Sequence, residues 1–115
     1  MIKAIVVLLA LVVMMSSSVY AGPMIYGMGN NTCGHYVKVL EGYHQNNAND
    51  TRDYFGLMCW FQGFATNQSV QSGEDILSGR DLDSLQILLE KFCKEHPSDL
   101  FYTASRKLLD TLKKK

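Results

Sequence analysis

The sequence predicts a small all-α domain of four helices, held by one disulfide and preceded by a cleaved signal peptide. Apolar residues recur at helical intervals in four stretches between positions 32 and 112, and no alternating strand pattern of useful length occurs. Polar or breaker-rich segments at 45–50 and 67–80, and Pro97, separate those stretches. A single basic residue and an unbroken apolar run at 4–15 stand apart at the start of the chain.

That first segment reads as a targeting sequence. Lys3 supplies a positive n-region, the twelve residues 4–15 form an apolar core, and Ser16, Ser17, Ser18, Val19, Tyr20 and Ala21 make a small, polar c-region ending in Val-x-Ala. Cleavage is expected after Ala21. Twelve helical residues span roughly 18 Å against a hydrocarbon core of roughly 30 Å, so no stable membrane anchoring is expected after cleavage. No cysteine follows closely enough for a lipoprotein. The remainder is expected in an exported compartment, the periplasm.

The full chain of 115 residues balances eleven basic against eleven acidic side chains. This balance argues against nucleic acid as a partner and against a highly charged disordered chain. Without residues 1–21, which include Lys3, 94 residues remain with ten basic and eleven acidic side chains, a net charge of −1. A chain of that size buries only about 60–65% of its unfolded surface. A covalent staple would therefore matter.

Three cysteines, Cys33, Cys59 and Cys93, leave one thiol unmatched. Cys59 lies in Phe55-Gly56-Leu57-Met58-Cys59-Trp60-Phe61 and is expected to be a buried, inert thiol. Cys33 and Cys93 sit at the start of one helical pattern and the end of another. Bridging them closes a loop of about 60 residues, worth on the order of 4 kcal/mol in the chain-entropy model. A competing arrangement uses Cys33, His35, Cys93 and His96 as zinc ligands, although Cys-x-His is a short spacing and export favours disulfides. The bridge is the preferred reading, with no metal and no cofactor.

Segment 22–31, with Gly22, Pro23, Gly27 and Gly29, is expected to be a flexible arm. Asn31 or Thr32 can cap a first helix running to about His44, with Tyr36, Val37, Leu40 and Tyr43 at helical spacing. Asp50 or Thr51 is expected to cap the second helix. There Tyr54, Phe55, Leu57, Met58, Trp60, Phe61 and Phe64 cover nearly the whole circumference, which predicts a central, buried helix. Gly56 and Gly63 each lower helix propensity by about 1 kcal/mol relative to alanine and suggest close approach of a neighbouring helix or a partner chain. Residues 67–80 read as a loop from which Ile76 and Leu77 tuck onto the core. The third helix starts near Asp81 with a stripe of Leu82, Leu85, Leu88, Leu89 and Phe92, and Pro97 ends it and helps start the fourth. In that last helix Leu100 or Phe101, Ala104, Leu108 and Leu112 repeat at helical intervals, and basic residues follow.

No paired catalytic carboxylates, glycine-rich phosphate loop or nucleophile motif occurs, and His35, His44 and His96 have polar flanks. The expectation is a protein that is not an enzyme. It would act through protein partners or unfolded clients, with a homodimer among the assemblies considered. Tyr54, Phe55, Met58, Trp60, Phe61 and Phe64 are the candidate contact residues.

The motifs Thr32-Cys33-Gly34-His35-Tyr36, Trp60-Phe61-Gln62-Gly63-Phe64 and Asp81-Leu82-Asp83-Ser84-Leu85 are followed by Leu88-Leu89-Glu90-Lys91-Phe92-Cys93-Lys94-Glu95-His96-Pro97 and a last helix containing Ala104. Together these resemble the small exported helical proteins of the HdeA/HdeB-like group, over roughly residues 32–112. The resemblance implies an HdeA-like helical domain at 32–115, a Cys33–Cys93 bridge and acid-stress chaperone activity. Cys59 departs from that group's two-cysteine arrangement. The chain is also similar to Tai-type immunity proteins, which implies a periplasmic inhibitor of a secreted peptidoglycan amidase, with 67–80 as the inserting loop. Intact-mass measurement of the exported protein is expected to give a chain starting at Gly22 and lighter by two hydrogens. A bound ion, or an uncut leader, would contradict these expectations.

Overall fold

The structure, a computed structural model, describes residues 25–113 together with Lys3. The signal-peptide expectation and the first residues of the arm lie outside residues 25–113. Four α-helices, α1 (Cys33–His44), α2 (Ala48–Ser72), α3 (Leu82–Glu95) and α4 (Phe101–Leu112), follow a one-turn 3-10 helix at Gly27–Asn30. No strand occurs among the described residues, and one isolated bridge pairs Thr32 with Leu100. The all-α, four-helix class is the one expected from the sequence.

Cys33 and Cys93 form a disulfide, with Cα atoms 4.6 Å apart. Both residues are fully buried. Backbone hydrogen bonds reinforce the junction: the N–H of Cys33 donates to the Asp99 carbonyl (2.7 Å) and that of Gly34 to the Pro97 carbonyl (2.9 Å). Phe101 N–H returns a bond to the Asn31 carbonyl (2.8 Å). Two of the four N–H groups that α1 cannot bond internally are thus satisfied by the turn between α3 and α4. A third is met by the Thr32 hydroxyl, which accepts from His35 N–H (3.1 Å), so Thr32 is the cap. Gly34 fits here because a Cβ would stand 3.3 Å from the Pro97 carbonyl oxygen.

The start of α2 departs from expectation. Its cap is Asn47, whose side chain accepts from Asp50 N–H (3.0 Å), rather than Asp50 or Thr51. The preceding Asn46 takes the left-handed conformation (φ 62°), which asparagine tolerates better than most residues. The end of α2 differs more. Residues 67–72, expected to be loop, continue the helix to Ser72, and the chain breaks only at left-handed Gly73. Their polar side chains lower helix propensity by a few tenths of a kcal/mol each and do not stop a helix already propagating. Ile76 is buried, as expected, and its N–H bonds the Ser69 hydroxyl (3.2 Å).

The core forms where α2 crosses the bridged pair of helices. Tyr54, Leu57, Met58, Phe61 and Ala65 of α2 are buried with Tyr36, Val39 and Leu40 of α1, Leu85 and Leu89 of α3, and Phe101, Ala104, Leu108 and Leu109 of α4. Ser105 is buried as well, its hydroxyl donating back to the Phe101 carbonyl (2.8 Å). Asp81 caps α3 as expected, accepting from Ser84 N–H (2.8 Å). Leu82 and Leu88, placed by periodicity in a buried stripe, are each 43% exposed. Pro97 follows the end of α3, but α4 begins only at Phe101.

The arm is not free over its described part. Met28 packs on the core, Gly29 is buried, and the Trp60 indole N–H donates to the Tyr26 carbonyl (3.1 Å). A Cβ on Gly29 would coincide with the Trp60 ring. The same turn explains Gly56, which lies against the Met28 side chain, whereas Gly63 faces open space with no neighbouring helix upon it. Gly29→Ala is expected to lower stability by about 1–3 kcal/mol through overpacking and to red-shift Trp60 fluorescence. Denaturant titration followed by emission checks both.

Candidate functional site

The six residues expected to contact a partner do not form one surface. Tyr54, Met58 and Phe61 are core residues. Trp60 and Phe64 are half-buried and stack on each other (centroids 5.3 Å apart), with Tyr102 edge-on to Phe64 at 5.4 Å. Phe55 alone is open, at 54% exposure.

The reason lies in the face structure of α2. Positions 54, 57, 58, 61 and 65 point inward, while Phe55, Cys59, Gly63, Thr66 and Val70 form one exposed stripe at helical spacing. The helix is therefore not buried around its whole circumference. Cys59 lies on the outer stripe and is an exposed free thiol, which corrects the expectation of a buried one. Apolar sequence neighbours on a helix point in other directions and do not by themselves bury a residue.

A shallow apolar groove of about 220 Å³ runs between α3 and α4. Leu88, Phe92, Ala104 and Leu108 supply its apolar lining, with Lys91, Lys107 and Glu95 beside them. Lys107 holds its ammonium 5.2 Å from the Phe92 ring centroid, a cation–π contact. Ile87, 62% exposed, lies outside this groove and lines a cavity with Tyr43, His44 and Gln86. Periodicity placed Leu88 in the core, but Ile87, Leu88 and Leu89 are consecutive and helical positions turn by 100° each, so all three cannot face inward. That triplet was the available signal.

At the other end of α3, buried Gln86 joins three helices. Tyr54 Oη donates to its Oε1 (2.9 Å), Tyr36 Oη donates to its backbone carbonyl (3.3 Å), and its Nε2 lies 3.2 Å from His44 Nε2. Tyr43 stacks on Tyr54 with centroids 4.2 Å apart. Burial pushes the Tyr36 hydroxyl far above the ordinary tyrosine range, with Tyr54 and Glu90 adding to the effect. Tyr54 is also raised, first by burial and then by Tyr43 and Asp83. Both hydroxyls therefore remain protonated donors at neutral and acid pH. Gln86 escaped sequence analysis, although it shares a helical face with Leu89 and Cys93.

Of the four residues considered for zinc, Cys33 and Cys93 have their sulfurs in the disulfide, so neither thiolate is available. The His96 ring stacks on Phe92 at 4.4 Å, and its Nδ1 lies 3.1 Å from the Phe92 carbonyl. Among the described residues, no three His, Cys, Asp or Glu side chains are grouped to hold a metal ion, and no helix is long and apolar enough to cross a membrane. No family model, curated protein or solved structure matches the chain.

The thiol correction is directly measurable. In native protein a maleimide or Ellman reagent is expected to modify one thiol per chain, at Cys59, without denaturant. Reaction only after unfolding would restore the buried reading.

Proposed function

We propose that this protein is a small exported binding protein that is not an enzyme, and that acid frees its most apolar helix to hold unfolded clients in the periplasm. One observation chiefly supports the reading: the apolar side chains best suited to holding a client, Tyr54, Met58 and Phe61, are sealed in the neutral fold, on the helix that lies between the two bridged cysteines. A trigger is then needed, and the charge inventory offers one. All eleven carboxylates and three histidines lie beyond residue 21. Neutralising the former and charging the latter moves residues 22–115 from −1 to +13. Self-repulsion then opposes the compact state.

The cap of α3 adds to the same direction. Hydrogen bonds from the Ser84 backbone and hydroxyl hold Asp81 below the ordinary carboxylate range. A depressed folded-state value means that its stabilisation is present above the unfolded-state value. It is lost as pH falls through the folded-state value, so acid weakens the start of α3.

The second reading is an immunity protein that inhibits a secreted peptidoglycan amidase at neutral pH. The groove lined by Leu88, Phe92 and Leu108 favours it, being apolar surface already presented without acid. The loop first considered for insertion is shortened, because residues 67–72 are helical. Hydrophobic-dye binding and association state, followed from pH 7 to 2, separate the readings. The chaperone reading expects a rise in dye fluorescence near pH 2–3 and suppressed light scattering by an acid-denatured client. Unchanged scattering, with no dye signal, removes it.

A further inference from the structure

We infer that the outer face of α2 is a self-pairing surface, on which a second copy of this chain lies antiparallel and becomes joined to the first at Cys59. Two features other than the thiol mark that face. Residues 54–73 include no acidic or basic side chain, although the outward positions of a solvated helix normally carry charge. Phe55 and Val70 stand on it, 54% and 76% exposed. Between them Gly63 is exposed in mid-helix, and a Cβ there would meet nothing within 4 Å, so no contact within the chain calls for a glycine. Cys59 lies midway between Phe55 and Gly63, about one turn from each.

These positions are self-complementary about Cys59. A two-fold axis through that residue, perpendicular to α2, sets Cys59 against Cys59 and Phe55 of each copy against Gly63 of the other. The dimensions agree. A disulfide joins Cα atoms about 4.4–6.8 Å apart, and each Cα lies about 2.3 Å from its helix axis, so the axes stand about 9–11 Å apart. Packed helices stand about 8–10 Å apart. At that spacing Phe55 needs room opposite, and a residue without a Cβ leaves it. A parallel pair would set Phe55 against Phe55 and leave both glycines unused. Phe55 is already braced, its ring 5.8 Å from that of Tyr43 and 5.5 Å from that of Tyr54. No like charges meet across the strip. Arg52, paired with Asp53 at 3.2 Å, would lie about 21 Å along the pair from Arg52 of the other copy, beyond a screening length of about 8 Å.

The contact alone is small. From Phe55 to Val70 the strip is about 23 Å long and about 10 Å wide, on the order of 230 Å² for each copy. A stable interface takes about 800 Å² from each partner. The pair therefore depends on the covalent bond, and the chain with its thiol free is a monomer. Bond formation consumes a disulfide oxidant. The Cys59 thiolate of one copy attacks that disulfide, forms a mixed disulfide and releases one thiol. The Cys59 thiolate of the second copy then displaces the other thiol and completes the Cys59–Cys59 bond. Two protons and two electrons pass from the cysteines to the oxidant, which leaves as two thiols. Cys33 and Cys93 are buried in their own bridge and take no part. Neither functional reading above requires this pairing, so it stands or fails apart from them.

The test starts from the folded chain with its thiol free and adds oxidised glutathione, with size followed by chromatography and light scattering. The expected product is a disulfide dimer that mild reductant returns to monomer. Monomer carrying glutathione as the only product would overturn the inference, as would a dimer formed by Cys59→Ser. Gly63→Leu tests the register. Leucine raises helix propensity and enters open space in the monomer, so the fold is retained. Its mixed disulfide with glutathione is expected to form at the original rate, while dimer formation slows about 10-fold because Phe55 is crowded. Phe55→Ala added to Gly63→Leu clears that space and is expected to recover the original dimer rate. Equal dimer rates in the unaltered chain and Gly63→Leu, or no recovery in the double variant, would overturn the antiparallel pairing.

Discussion

The start of α1 and the turn before α4 are held together by the Cys33–Cys93 disulfide and by backbone hydrogen bonds from Cys33, Gly34 and Phe101. The rest of the fold is arranged around this junction. It sets the separation of α1 and α3 and buries both cysteines. It also supplies acceptors to N–H groups at the start of α1 that would otherwise need solvent or side chains. Closing a loop of about 60 residues contributes on the order of 4 kcal/mol, against a net stability of about 5–15 kcal/mol for a domain. A large fraction of this fold's margin is therefore independent of pH, since neither a disulfide nor a backbone hydrogen bond titrates here.

α2 stands in a different position. It lies within the loop that the bridge closes and carries no crosslink of its own. Its attachment depends on Tyr54, Leu57, Met58 and Phe61 packing on the bridged helices, on Trp60 holding the Tyr26–Gly29 turn, and on the polar seam at Gln86. Any acid-driven loosening should thus be uneven, with α1, α3 and α4 remaining joined at the junction while the hold on α2 weakens. An expanded state with a fixed tether differs from general unfolding, because the distance over which α2 can move is limited by its two connections at residues 45–47 and 73–81.

The four helices and the bridge were legible in the sequence because each rests on a local signal: apolar spacing, the Asp81 cap, the breakers at Gly73 and Pro97, and an even pairing of two cysteines. What was not legible depends on direction in three dimensions. Cys59 has apolar neighbours on both sides in sequence, yet it faces outward with Phe55 and Gly63. The 25–31 segment has the composition of a flexible arm, but Gly27 takes a left-handed φ of 72° and Gly29 lets the backbone lie against Trp60. Residues 67–72 have the composition of a loop, although a helix already formed runs through them at little cost. Gln86 matters because of what two other helices place beside it, and no local pattern contains that information.

The separation between sealed and open apolar surface bears on which binding mode the fold suits. The groove on α3 and α4 is built on two helices that meet at the junction and has no lining residue from α2, so its shape is little altered if α2 moves. A site on rigid elements favours one partner of matching shape. The α2 face is the reverse. It is more aromatic, and it becomes available only as the structure loosens, which favours many partners recognised by apolar character alone. Evidence that binding survives only when α2 is held in place would point to the groove. Binding that strengthens as α2 comes away from the bridged helices would point to the α2 face, and the same bridge would then serve to keep the opened chain from unfolding further.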